Sequence, residues 1–163
     1  MKTAGIIGGL GPETTAEFYL EINFGCLKQN KISRPPMLLW NVPLKFEIEQ
    51  ELLLDSKGEE RYIPYLVEAA KKLEKDGADF IVMPCNTLHM FIQDIRKGVK
   101  IAVLSILEET VSFLKDHNIH QVGLLATSSL LQKKIYEAAL AKEGIKPILP
   151  DAYDQAKMGK MIN

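Results

Sequence analysis

The sequence predicts an α/β fold: an open, mostly parallel sheet covered by helices, with a first lobe over residues 1–104 and a partial second lobe over residues 105–163. Three observations lead there. Short apolar runs alternate with segments of helical period, each run stops at a turn rich in Gly, Pro, Asn or Thr, and the same rhythm resumes after Leu104.

Ala4-Gly5-Ile6-Ile7 is the first strand, closed by Gly8-Gly9-Leu10-Gly11-Pro12, after which Phe18, Ile22 and Cys26 recur at helical spacing. Met37-Leu38-Leu39-Trp40 follows Pro35-Pro36 and ends at Asn41-Val42-Pro43, which marks a second buried strand. The charged, weakly periodic stretch from Leu44 to Glu60 reads as a mobile loop or a short helix. Ile63, Leu66, Ala70 and Leu73 then define a helix face, with Pro64 in its first turn and Gly77 at its stop.

Asp79-Phe80-Ile81-Val82-Met83 is a third strand broken by Pro84-Cys85-Asn86-Thr87, a helix runs through Met90 to Lys97, and Ile101-Ala102-Val103-Leu104 is a fourth strand. Ser105 and Glu108 have capping-box spacing and open another helix. Beyond it come the strand Gln121 to Ala126, the turn Thr127-Ser128-Ser129, a helix face of Leu131, Ile135 and Ala138 stopped by Gly144, and the short strand Lys146 to Leu149. A last helix starts near Asp151.

Composition narrows the function classes. The chain has 163 residues, 47% of them hydrophobic and 25% charged, which suits a packed domain rather than a disordered or disulfide-stapled one. A net charge of −1 supplies no long-range field to collect nucleic acid or an anionic membrane. No apolar run reaches the roughly 18 residues of a membrane span, and the start at Met1-Lys2-Thr3 runs straight into a strand, so a cytoplasmic location is expected. Cys26 and Cys85 form no Cys-x-x-Cys pair and are expected as reduced thiols.

In open parallel sheets ligands gather outside the carboxyl ends of the strands, so three turns are candidate sites. The glycine turn before Pro12 offers N–H groups and a helix N-terminus for a carboxylate or phosphate, or simply lets the chain turn sharply; it matches neither a dinucleotide fingerprint nor a P-loop. Cys85 follows a buried strand and precedes a helix, where N–H groups favour the thiolate, or it is a small buried residue. Thr127, Ser128 and Ser129 suit an anion or a helix cap. His89 lies four residues beyond Cys85 without further ligands nearby, which favours a supporting role over a metal site; His117 and His120 flank a surface connection, and Cys26 sits on a core face.

Taken together, Gly5-Ile6-Ile7-Gly8-Gly9-Leu10-Gly11-Pro12-Glu13-Thr14-Thr15, then Gly77 through Thr87 with Met83-Pro84-Cys85-Asn86-Thr87, then Gly123-Leu124-Leu125-Ala126-Thr127 resemble the aspartate/glutamate racemase family over essentially the whole chain. The resemblance implies two Rossmann-like lobes with a site between them, cofactor-independent amino-acid racemisation, a small-molecule amino-acid substrate and often a dimer. It also implies that Cys85 is one of two thiols that exchange the α-proton from opposite faces. By the same likeness Asn86, Thr87 and Thr127 grip the substrate's carboxylate and amino groups, while Leu10 and Gly11 line the pocket.

Two departures follow from the same comparison. The family's second cysteine lies in a Gly-Cys-Thr-Glu motif, and neither that motif nor the family's final segment occurs before Asn163. The loop Asn41 to Gln50 lacks the arginine of aspartate-selective members and holds only Lys45 as a cation, which is more like broad-specificity relatives. A non-catalytic carboxylate-binding remnant and a one-cysteine decarboxylase are the alternatives.

Overall fold

A computed structural model describes residues 1–29, 33–55 and 58–162. The first lobe is built on a four-stranded sheet of β1 (Ala4–Gly8), β2 (Met37–Asn41), β3 (Phe80–Val82) and β4 (Ala102–Val103), in the order β2-β1-β3-β4. Every pairing is parallel, with Ile6 opposite Leu39 on one side and Val82 on the other. The second lobe holds a parallel pair, β5 (Gln121–Gly123) and β6 (Lys146–Ile148). The α/β architecture and the existence of all six strands are as the sequence predicts, but β2 is not the buried strand expected: it lies at the sheet edge with no fully buried residue and with Leu39 exposed, and β5 stops at Gly123 rather than Ala126. Its partner spans only three residues, one of them Pro147, so little ladder remains to pair with.

Helix α1 (Pro12–Gln29) follows β1, and α3 (Ile63–Lys75) leads into β3. Leu66, Ala69, Ala70 and Leu73 of α3 are buried at the spacing of one helical face and pack with Ile7, Ile81, Ile95 and Val103 into the first core. The charged stretch after Leu44 is helical, as α2 (Phe46–Asp55) and a 3-10 turn at Glu59–Tyr62, while residues 56 and 57 lie outside the described residues. Ile48 and Tyr62 are the buried members of this stretch that join it to the core.

A 3-10 turn at Thr87–Phe91 and α4 (Ile92–Gly98) follow β3. Helix α5 (Ile106–Asp116) starts as the sequence predicts, with the Ser105 hydroxyl accepting from the Glu108 N–H. The Glu108 carboxylate does not close the box. It takes two hydrogen bonds from the Arg96 guanidinium, at 2.6 and 2.7 Å, and Arg96 also donates to the Val103 carbonyl, so one side chain ties α4, β4 and α5 together.

The second lobe corrects one reading. A single helix after Thr127 is predicted, but α6 (Ser128–Lys133) and α7 (Ile135–Lys142) are separated by Lys134 at φ 54°, in the left-handed region. The break reorients the chain, so Leu130, Tyr136 and Leu140 are buried with Val111, Leu114, Ala126 and Ile145, whereas Ala138 is exposed. Helix α8 (Ala152–Ile162) ends the described chain, its start held by Asp151 Oδ1 accepting from the Asp154 N–H at 2.8 Å. His117 and His120 are exposed, and Cys26 is half-buried on α1. Among the described residues, no helix is long and apolar enough to cross a membrane.

Gly5 is where the first core permits no side chain. A Cβ there would stand 2.8 Å from Ala78 Cβ, 3.2 Å from Leu73 Cβ and 3.3 Å from the Phe80 carbonyl oxygen, because α3 lies directly on β1. Gly5→Ala is expected to lower the unfolding free energy by about 1–3 kcal/mol in a urea titration. An unchanged midpoint would mean that α3 does not sit this close.

Candidate active site

The order of the first sheet places its switch point between β1 and β3, since the chain moves outward to β2 from one and to β4 from the other. The turns at the carboxyl ends of these two adjacent strands are the glycine turn and the Pro84–Thr87 turn. Topology therefore brings the first two candidate segments together.

The glycine turn is closed largely on itself. The Thr15 hydroxyl accepts from the Gly9 N–H at 3.0 Å and donates to the Gly11 carbonyl at 2.9 Å. A Cβ on Gly8 would lie 2.5 Å from Thr15 Cγ2, and Gly9 holds φ 84° against Asn41, so these glycines serve the turn's close packing. The Gly9 N–H is thus not free for an anion. Leu10 is half-buried and packs, as Cys85 does, against the first core, while Gly11 is half-buried at the mouth of α1.

The Cys85 N–H bonds the Met83 carbonyl at 2.8 Å, a tight turn across Pro84 that leaves Cys85, Asn86 and Thr87 half-buried at the end of β3. The backbone N–H groups of Leu88 and Thr87 act on the Cys85 sulfur to favour its anion, as the position before a helical turn predicts. Burial outweighs them. The thiol is pushed above its ordinary range, which corrects the expectation of a favoured thiolate: loss of water around the sulfur costs the anion more than two donors return.

Tyr62, absent from the sequence reading, has its hydroxyl pushed up to about 12 by burial, with smaller contributions from Glu49 and Cys85. A neutral phenol therefore belongs to the thiol's surroundings. Lys45, by contrast, is exposed at the start of α2, where its carbonyl accepts from the Ile48 N–H.

The second lobe meets this turn through polar contacts. Thr87 Oγ1 and Thr127 Oγ1 are 3.3 Å apart, and the Tyr136 hydroxyl donates to Asn86 Oδ1 at 2.6 Å. Thr127 also caps α6 by accepting from the Leu130 N–H, so its cap and its place in the seam coexist. Gln155 of α8 donates to the Ala126 carbonyl at 3.0 Å and fastens the same turn from behind. Sequence reasoning missed Tyr136 and Gln155, whose partners are distant in the chain.

His89 is buried, with Nδ1 2.7 Å from the Cys85 carbonyl. A carbonyl only accepts, so Nδ1 carries the proton. Burial holds the imidazole below its ordinary pKa, partly offset by that carbonyl, so the ring is neutral near pH 7. It supports the Cys85 turn from inside. Among the described residues, no group of three or more His, Cys, Asp and Glu is placed to hold a metal ion. A cleft of about 490 Å³ on the α1 side, bounded by Phe18, Met83, Asn86, His89 and Leu104, does not include Cys85.

The geometry defines a two-lobed α/β protein with a thiol at a strand end beside the sheet's switch point, followed by Asn86 and Thr87, which the hydroxyls of Tyr136 and Thr127 meet from the second lobe. The chain belongs to the Asp/Glu/Hydantoin racemase family, whose model matches residues 7–163. It is 31% identical over 156 residues to the broad specificity amino-acid racemase RacX of Bacillus subtilis (strain 168), covering 93% of this chain and 66% of that protein. Among solved structures, a Yersinia pestis protein classed with the Asp/Glu racemases shares 30% identity at a TM-score of 0.85, across 99% of this chain and 70% of that one. An aspartate racemase homologue from Pyrococcus horikoshii OT3 shares 25% identity at a TM-score of 0.80, with the same coverage. The chain thus spans about two thirds of the length of these relatives.

The direction of the Cys85 shift sets a pH dependence. Burial favours the neutral thiol, so its thiolate fraction at neutral pH is smaller than that of an ordinary cysteine and rises only at higher pH. In a Cys26→Ser background, alkylation of Cys85 by iodoacetamide is expected to titrate with a midpoint above that of a free cysteine measured alongside it. A midpoint below that value would mean that the N–H donors prevail over burial.

Proposed function

We propose that this chain carries the first-thiol half of a cofactor-independent amino-acid racemase, an isomerase acting on aspartate, glutamate or a broader set of amino acids. Residues 1–104 form the lobe with the thiol and residues 105–163 the partial second lobe. The observation that carries this reading is Cys85 at the end of β3, flanked by the Asn86–Tyr136 and Thr87–Thr127 contacts.

In this reading the Cys85 thiolate removes the α-proton from one face of the substrate. Donors from Asn86, Thr87 and Thr127 hold the carboxylate and stabilise the negative charge that develops on it, with Leu10 and Gly11 beside them. The raised thiol pKa makes the sulfur a stronger base once ionised, though a scarcer one at neutral pH. Inversion also needs an acid on the opposite face. Cys26 lies within α1 and does not fill that role. The Gly-Cys-Thr-Glu motif that the family uses is absent from the 163 residues. Proton exchange at the Cys85 face is the step of this mechanism that the 163 residues can be tested for. The broad range named for RacX and the loop from Asn41 to Gln50, which has no arginine, support a wide substrate range. The same reading takes the protein as a cytoplasmic homodimer.

The scarcity of thiolate favours one alternative, a family member that binds the carboxylate of an amino acid without turning it over. One experiment separates the two. With L-aspartate, L-glutamate and a panel of neutral amino acids in deuterium oxide, the α-proton signal is expected to fade at a rate that Cys85→Ala lowers by about 100-fold or more. Exchange that persists in Cys85→Ala would remove the thiol from the mechanism. Saturable binding without exchange in the unaltered protein would establish the binding alternative.

A further inference from the structure

We propose that Tyr136 is a positioning residue that fixes the Asn86 amide with its NH2 end toward the substrate, and so commits Asn86 to recognising the anionic carboxylate rather than the ammonium group. The proposal rests on the functional reading above and adds to it a residue of the second lobe that sets substrate polarity.

A side-chain amide has one accepting and one donating end, and which end faces a ligand decides the charge it welcomes. The Tyr136 hydroxyl donates to Asn86 Oδ1 at 2.6 Å, a short bond that occupies the accepting end. The two N–H bonds of Nδ2 are left to define the other end. Asn86 has not spent its side chain elsewhere: it stands at the N-cap of the 3-10 turn in right-handed helical conformation and makes no side-chain cap bond. An asparagine at such a position commonly caps with its own oxygen. Here that oxygen goes to a tyrosine fifty positions further along the chain.

The placement of Tyr136 is itself specific. The left-handed Lys134 separates α6 from α7 just before it, and the ring is 6% exposed within the second core, so the hydroxyl has little freedom to turn away. The break that the helical pattern does not predict therefore coincides with the residue that reaches the first lobe. Thr87 and Thr127, 3.3 Å apart one residue along the turn, keep the two lobes in register for this bond.

The test compares L-aspartate with its α-carboxamide, using NMR titrations of the full chain. The unaltered protein is expected to bind the free acid about tenfold or more tightly than the amide. Tyr136→Phe keeps the ring and removes the donor; it should bring the two affinities to within about threefold, chiefly by weakening the acid. Asn86→Ala should do the same, and the double variant should lose no more than either single one.

Asn86→Asp keeps an acceptor for Tyr136 but turns an acceptor toward the substrate, and should bind the amide at least as tightly as the acid. A merely structural tyrosine would weaken both ligands alike and leave their ratio unchanged, which would overturn the proposal. If the unaltered protein binds neither compound, aspartate is not its ligand. The tyrosine is then judged by the Asn86 side-chain amide signals, identified by their loss in Asn86→Ala. A shift and faster solvent exchange in Tyr136→Phe would uphold the positioning bond, and unchanged signals would refute it.

Discussion

The site depends on a parallel sheet in which the order of strand addition reverses between β1 and β3. Because these strands pair directly, Ala4 with Phe80 through Ile6 with Val82, their carboxyl ends deliver the glycine turn and the Cys85 turn to neighbouring positions. Close packing of α3 on Gly5 fixes the strands and that of Thr15 on Gly8 fixes the glycine turn, both with little tolerance for added volume. What the first lobe presents to a ligand is therefore a rigid edge, and the chemistry rests on what is suspended from it.

At that edge two opposing effects meet on one sulfur atom. Backbone N–H groups of the following turn favour the anion, while enclosure against the first core and Tyr62 favours the neutral thiol, and enclosure prevails in the free protein. A substrate carboxylate would add negative charge nearby, so ionisation during a reaction depends on donors that neutralise that carboxylate first. The polar seam with the second lobe has this role in the proposed mechanism. Thr87, Thr127 and Asn86 are half-buried and held by partners across the seam, an arrangement that limits the reorganisation needed when a ligand arrives.

Much of the fold was legible because its punctuation is local. Gly9, Gly77 and Pro84 end elements by their own backbone preferences, and Ser105 caps α5 as its spacing with Glu108 suggests. The carboxylate of Glu108 was not legible, since it answers to Arg96 from another helix. The Lys134 break was equally hidden: lysine has no intrinsic reason to adopt a left-handed conformation inside a helical pattern, and only the burial of Leu130 and Tyr136 together requires it. For the site, Cys85 and its donors could be placed from a strand end and a following turn. Tyr136, Gln155 and Tyr62 could not, because each reaches its partners through tertiary packing, and the same packing reversed the direction expected for the thiol.

The central claim is that an amino acid binds against Cys85 at the interlobe seam, with its carboxylate on the Asn86, Thr87 and Thr127 groups. A crystal structure of the chain with bound L-aspartate tests it most directly. The account predicts an α-carbon about 3.5 Å from the Cys85 sulfur and a carboxylate oxygen facing Asn86 Nδ2. An amino acid seated instead in the α1-side cleft, out of reach of the sulfur, would contradict it.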